Sequence, residues 1–319
     1  MRKRQLGRTA LVVSELTLGT WGLSGDAYGP VNDVDADATI DRAVALGITL
    51  FDTADVYGSG ATGSMGRMEK KLGQRLPQKT TMVATKIGTS LEGYPEKQFD
   101  AQSLFMAFER SQERLRRDAI DVLLLHNPSP ATFTSSEAID LMKRLKDEGK
   151  VRAWGVAAGS VEVAKLAIER GCDVLEMAYN CFFTSDVKML APSLLESGVA
   201  LLARSVLAYG LLAGHWTADR EFYPPDHRAE RWNENELRRR VEQVGALRSA
   251  LGGPAPTLRS VALRYVLAND RVTSAVLGPR NPTQLDQLVR DAGRMPPYLA
   301  PQIMTRLEEA LASHGVTGE

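Results

Sequence analysis

Cysteine is nearly missing: Cys172 and Cys181 are the only two in 319 residues, and they do not form a C-x-x-C pair. A disulfide scaffold is thereby excluded, and so low a thiol content fits a reducing compartment. Net charge is missing as well, since 39 Lys and Arg are balanced by 39 Asp and Glu. With no chain-wide electrostatic footprint, neither nucleic acid nor an anionic membrane surface is expected as a partner. Long apolar runs are also lacking. The longest, 199–214, is interrupted by Arg204, which argues against a membrane span. The basic MRKR start leads into an apolar run that Ser14 and Glu15 cut short, so no signal peptide is read and a cytoplasmic location is expected. No low-complexity tract or Pro/Ser-rich linker breaks the chain.

What is present is a regular alternation. Short apolar runs at 16–19, 49–52, 81–86, 120–126, 151–157, 173–179, 199–205 and 273–278 read as strands. Amphipathic patterns at 36–46, 101–117, 135–148, 161–170, 187–196 and 258–268 read as helices between them. Gly149 and Gly171 each stand just past a helix pattern and just before a strand, as helix stops do. Eight strand–helix repeats predict an α/β protein, a single (β/α)8 TIM-barrel domain spanning 1–319. A hairpin over 2–13 is expected to cap one barrel end, a long polar loop to run over 215–233, and an extra C-terminal helix to cover 299–313.

In such a barrel the chemistry lies at the C-terminal ends of the strands. Asp52 ends the second strand, in TLFDTADVYG, with Tyr57 in the loop beyond. Lys86 ends the third, in TMVATKIG, and His126 ends the fourth, in DVLLLHNP. A Lys or His at the tip of a buried strand is costly unless paired or used. Any one of these groups could be a structural residue satisfied by a neighbour. Four converging at one barrel end form an acid–base set in which Lys86 lowers the Tyr57 pKa and Asp52 holds Lys86 charged. The glycines 58, 60 and 63 match G-x-G-x-x-G, but five residues separate Asp52 from Gly58 and the next strand carries no acid, so they read as a loop beside Tyr57.

The motifs FDTADVYGSG, ATKIG and IDVLLLHNP, in this order and spacing, resemble those of the aldo-keto reductases. LTLGTWGLSG is similar to that family's first-strand segment, and VLGPRNPTQLDQL to its nucleotide-binding segment. The resemblance implies a (β/α)8 barrel that binds NADPH without a Rossmann domain and reduces a small-molecule aldehyde or ketone. It implies Asp52, Tyr57, Lys86 and His126 as the catalytic set, with Tyr57 as proton donor and Trp21, Tyr57 and His126 facing the substrate. The implied cofactor contacts are Gly19, Thr20, Trp21, Asp52, Glu176, Arg204, Ser205, Leu207, Gly210, Gly278, Arg280 and Gln284. Arg280, before a helix opened by Pro282, favours NADP through its 2′-phosphate, with NADH the less favoured cofactor.

The chain departs from that family around the nicotinamide. Ala157 and Ala158 stand where a Ser-Asn pair is usual, Glu176 where Gln is, and Arg204 where an aromatic ring is; Leu288 replaces an adenine-contacting Asn. One reading is a rebuilt site in which Arg204 stacks on the ring and pairs with Glu176. The other is a weakened cofactor site, in a regulatory or sensor protein of the same fold with little turnover. Tyr28, Tyr94, Trp216, Phe222, Tyr223 and Trp232 are aromatic residues in or near the loops that would line a substrate pocket. Arg238, Arg239 and Arg240 read as a solvated helix face, and His215, His227 and His314 lack metal-ligand spacing, so no metal site is expected.

Overall fold

The computed structural model describes residues 1–62, 65–89, 97–251, 257–293 and 295–318; Gly63 and Tyr94 lie outside them. The chain begins with a hairpin of β1 (Lys3–Gln5) and β2 (Val12–Ser14). Then follow β3 (Leu16–Gly19), α1 (Asp33–Ala45), β4 (Leu50–Asp52), the short α2 (Ser59–Thr62) and α3 (Arg67–Arg75). Next come β5 (Met82–Ile87), α4 (Ala101–Leu115), β6 (Ile120–His126), α5 (Glu137–Asp147), β7 (Val151–Ala157) and α6 (Val161–Glu169). The remainder is β8 (Val174–Ala178), α7 (Ser185–Ser197), β9 (Ala200–Arg204), α8 (Glu234–Leu251), α9 (Leu258–Ala268), β10 (Val272–Leu277), α10 (Pro282–Ala292) and α11 (Pro301–Ala312).

Strands β3 to β10 pair in parallel and close on themselves, β10 returning to β3, so the architecture is a (β/α)8 barrel preceded by a hairpin. The expected apolar runs all become barrel strands, with ends shifted by at most a residue or two. Local chemistry sets the helix ends. Asn32, Asp100, Ser160, Thr257 and Asn281 each accept a backbone N–H three residues on, as N-caps. Gly149 and Gly171 take φ of 73° and 86° just past α5 and α6, where a side chain would be strained.

Two apolar cores follow from the two-residue side-chain period of the strands. Phe51, Val83, Leu123, Leu125, Leu175 and Leu201 point outward beneath the helices. Leu50, Ala84, Val122, Leu124, Val174, Ala200 and Leu202 point inward and pack on Leu6, Leu11 and Val13 of the hairpin, which plugs the lower barrel mouth. Two residues further along each inward row, at the upper mouth, stand Asp52, Lys86, His126, Glu176 and Arg204. The barrel interior thus changes from hydrocarbon to charge within one layer of side chains. Among the described residues, no helix is long and apolar enough to cross a membrane.

Candidate active site

Lys86 is buried at the upper mouth, 1% exposed. Its Nζ donates to Asp52 Oδ1 and to the Thr53 carbonyl at 3.1 Å, and lies 3.3 Å from Glu176 Oε2. It also lies 5.3 Å from the centre of the Tyr57 ring, whose edge meets His126 with ring centres 6.1 Å apart. Burial alone would strip Lys86 of its proton, but Asp52 and Glu176 outweigh burial and raise its pKa above that of an ordinary lysine. Asp52 is raised well above the carboxylate range, first by burial and then by the nearby Glu176. Burial therefore makes the ionised form of Asp52 costly, and Lys86 is the cation that offsets part of that cost.

The Tyr57 phenol is pushed up by burial. Lys86 pulls it down, as the sequence suggests, but burial outweighs that pull, and Asp52 and Glu176 add to burial. The net shift is thus opposite to the expected lowering. His126 is held well below the ordinary histidine value by burial, then by the cations Lys97, Lys86 and Arg204, so the ring is neutral near pH 7. Its Nδ1 is sealed in the interior without a partner.

These groups form one end of a cleft of 630 Å³. Gly19, Trp21, Asp52, Tyr57, Lys86, His126, Glu176, Arg204, Ser205, Leu207, Gly210, Gly278, Arg280 and Gln284 all line it. Thr20 does not line it: its backbone N–H and hydroxyl both bond the Asp52 carbonyl, tying β3 to β4 at the mouth. Nor does Arg204 pair with Glu176. Among the described residues Arg204 has no ion pair, and the cation beside the Glu176 carboxylate is Lys86, 3.3 Å away. Arg204 opens a segment in which Ser205, Ala208 and Tyr209 have φ of 57°, 46° and 60°, and the Ser205 carbonyl accepts a bond from Asn180 at 2.9 Å. Three left-handed non-glycine residues so close together are the kind of backbone strain that collects where a fold holds groups for binding.

The far end of the cleft lies at the start of α10. Arg280 Nη2 donates to the Gly29 and Pro30 carbonyls at 3.0 and 2.8 Å, its backbone N–H bonds Gln284, and its Nε is buried without a partner. The loop over 215–233 covers the middle. His227 packs against Trp21, Tyr28 and Tyr209, with ring centres 4.7, 5.1 and 5.4 Å away, and its backbone N–H bonds the Ala27 carbonyl. Burial, then Arg231, lowers the His227 pKa to about 4. Trp216 lines the cleft and packs on Phe222 and Trp232, whereas Tyr223 is exposed. Leu288 also lines the cleft. Arg240 departs from the solvated-face reading by resting 5.4 Å over the Phe182 ring.

Several residues are missed by sequence reasoning. Asp55, inside the same motif as Asp52 and Tyr57, is buried with both carboxylate oxygens unpartnered, and burial followed by Glu69 raises its pKa well above the usual range. An acid between apolar residues was the available signal. Arg228, Arg231 and Arg259 line the cleft from segments remote in sequence, and nothing local marks them; Gln287, also in the lining, lies one helical turn beyond Gln284 in the segment already singled out. Among the described residues, no cluster of His, Cys, Asp and Glu could hold a metal ion.

Comparison with known proteins agrees with the barrel fold. A family model described as the Aldo/keto reductase family matches residues 15–298. The chain is 31% identical over 296 residues to L-galactose dehydrogenase of Arabidopsis thaliana, covering 90% of this chain and 86% of that protein. It is 29% identical over 316 residues to the NADH-specific methylglyoxal reductase of Escherichia coli, with 91% and 93% covered. A solved glycerol dehydrogenase from Gluconobacter oxydans superposes with a TM-score of 0.83 at 26% identity, with 99% of this chain and 96% of that one covered.

Replacing Lys86 by Met leaves two buried carboxylates without a cation, and a loss of about 3–5 kcal/mol of stability is expected. The folded-state pKa of Asp52, already raised by burial, then rises further above its value in the unfolded chain. The deficit is therefore small in acid and grows as pH rises through the folded-state value. Urea unfolding at about pH 5 and about pH 8 reads this; an equal deficit at both would contradict the account of the site.

Proposed function

The chain belongs to the aldo/keto reductase family, and on that premise we propose that it reduces an aldehyde or ketone to the alcohol with NADPH, Tyr57 delivering the proton. The observation that carries the reading is the junction of Tyr57, His126, Lys86 and Asp52 at one end of a cleft long enough for an extended ligand. The residues fit a dinucleotide. Arg204, Arg220, Arg228, Arg231, Arg259 and Arg280 line the cleft against only Asp26, Asp52 and Glu176, which suits a polyanion. The unpartnered Nε of Arg280 beside the N-terminus of α10 suits a phosphate, and this supports NADPH over NADH. A relative is described as NADH-specific, so the preference rests on these residues and not on membership of the family. Gly19, Trp21, Glu176, Arg204, Ser205, Leu207, Gly210, Gly278, Arg280 and Gln284 are the proposed cofactor contacts; the cytoplasm remains the expected location.

NADPH, when bound, supplies a hydride from nicotinamide C4. The protein's task is then to manage the charge that develops on the substrate oxygen. Tyr57 holds its proton firmly, because burial raises its pKa, and releases it only toward an oxygen becoming alkoxide-like. Lys86, kept charged by Asp52 and Glu176, makes that release less costly. With Nδ1 sealed in the interior, His126 presents Nε2 to a ligand, and a neutral ring donating from Nε2 stabilises the same oxygen. Trp21, beside Tyr28 and His227, offers an apolar wall for the rest of the substrate.

Tyr57→Phe should lower carbonyl reduction by on the order of a hundredfold or more while leaving NADPH affinity, read by nicotinamide fluorescence, nearly intact. Unchanged turnover would remove Tyr57 from its role. Arg280→Ala should weaken NADPH binding about tenfold, a loss of about 1.4 kcal/mol, with little effect on NADH. Equal losses for both cofactors would show that Arg280 does not read the 2′-phosphate.

A further inference from the structure

Lys86 has three N–H donors. One is used by Asp52 and a second by the Thr53 carbonyl at 3.1 Å. For the third, Glu176 Oε2 lies 3.3 Å away, and the same Nζ stands 5.3 Å from the centre of the Tyr57 ring. Glu176 is 2% exposed, and its Oε2 has no hydrogen-bond partner. The neighbouring strand offers it nothing, because the residue paired in register with Glu176 on β7 is Ala157. An unsatisfied carboxylate oxygen in a closed interior is costly, and Lys86 is the cation beside it.

We propose that Glu176 is a positioning residue: its carboxylate draws on the Lys86 ammonium, and so sets how far that cation eases proton release from Tyr57. The inference rests on the proposed role of Tyr57 as proton donor and adds what tunes it. When Glu176 is ionised it draws the ammonium toward itself and adds a negative charge near the phenol. A glutamine at this position would remove that charge and leave the ammonium to act on the phenol. The charged and titratable groups around Tyr57 are Asp52 on β4, Lys86 on β5, His126 on β6, Glu176 on β8 and Arg204 on β9. Lys97 acts on His126 from the other side. Of these, Asp52 and Glu176 are the two acids, and Glu176 is the one whose hydrogen bonding is incomplete.

The test uses the NADPH-loaded protein. The pH profile of kcat/KM for carbonyl reduction is measured for wild type, Glu176→Gln and Glu176→Asp. Tyrosinate absorbance is titrated in parallel, each protein against its own Tyr57→Phe counterpart. In Glu176→Gln the alkaline limb of the profile and the Tyr57 titration should both move to lower pH, by about one unit. Glu176→Asp keeps the charge but retracts it by one methylene, so its midpoint should fall between the other two. It also carries the test should Glu176→Gln fail to fold. Unmoved midpoints, or midpoints that rise, overturn the proposal, and a loss of thermal stability alone would mark Glu176 as merely structural. If no carbonyl is reduced but the tyrosinate titration still shifts, the reductase reading has failed and the link from Glu176 to Tyr57 stands.

Discussion

One ammonium inside the barrel organises the site. The Lys86 side chain stands one layer above an apolar part of the barrel interior and is 1% exposed at the floor of the cleft. A lone charge there would cost several kcal/mol, so the surrounding strands must supply acceptors. They supply Asp52, the Thr53 carbonyl and Glu176. The two acids, crowded together, hold the ammonium charged; burial, aided by Lys97 and then by that ammonium, keeps His126 neutral, and the ammonium opposes the effect of burial on Tyr57. The properties of each group at the mouth follow from that cation and from the shortage of water around it.

The barrel delivers these groups through a simple geometric rule. In each strand alternate residues face inward, and on β4, β5, β6, β8 and β9 the inward row passes through an apolar layer. Leu50 precedes Asp52, Ala84 precedes Lys86, Leu124 precedes His126, Val174 precedes Glu176 and Leu202 precedes Arg204. The lower layer, sealed by Leu6, Leu11 and Val13 of the hairpin, fixes the strands; the upper layer is then free to carry charge. Stability and chemistry are separated along the barrel axis by one residue pair.

The same rule explains what could be read from the sequence. A polar residue closing an apolar run marks both a strand end and an inward side chain, so Asp52, Lys86 and His126 stand out, and the eight strands with them. Glu176 is equally visible, but its partner is not. Contact between β8 and β5 across the barrel depends on closure and stagger, which no local pattern records, and so Glu176 meets Lys86 where Arg204 was expected. Thr20 lies beside the site in sequence yet turns its hydroxyl to the Asp52 carbonyl. Arg228, Arg231, Arg259 and Gln287 reach the cleft from a long loop and two helices, and only the folded chain brings them together.

Hydride transfer from nicotinamide C4 to a carbonyl carbon is the reaction proposed for this cleft. Supplying NADPH dideuterated at nicotinamide C4 with a panel of aldehydes and ketones, and weighing the alcohols formed by mass spectrometry, reads that transfer whichever face is used. One deuterium is expected on the carbinol carbon of the reduced product. Unlabelled alcohol, or no alcohol from any member of the panel while the cofactor is bound, would contradict it.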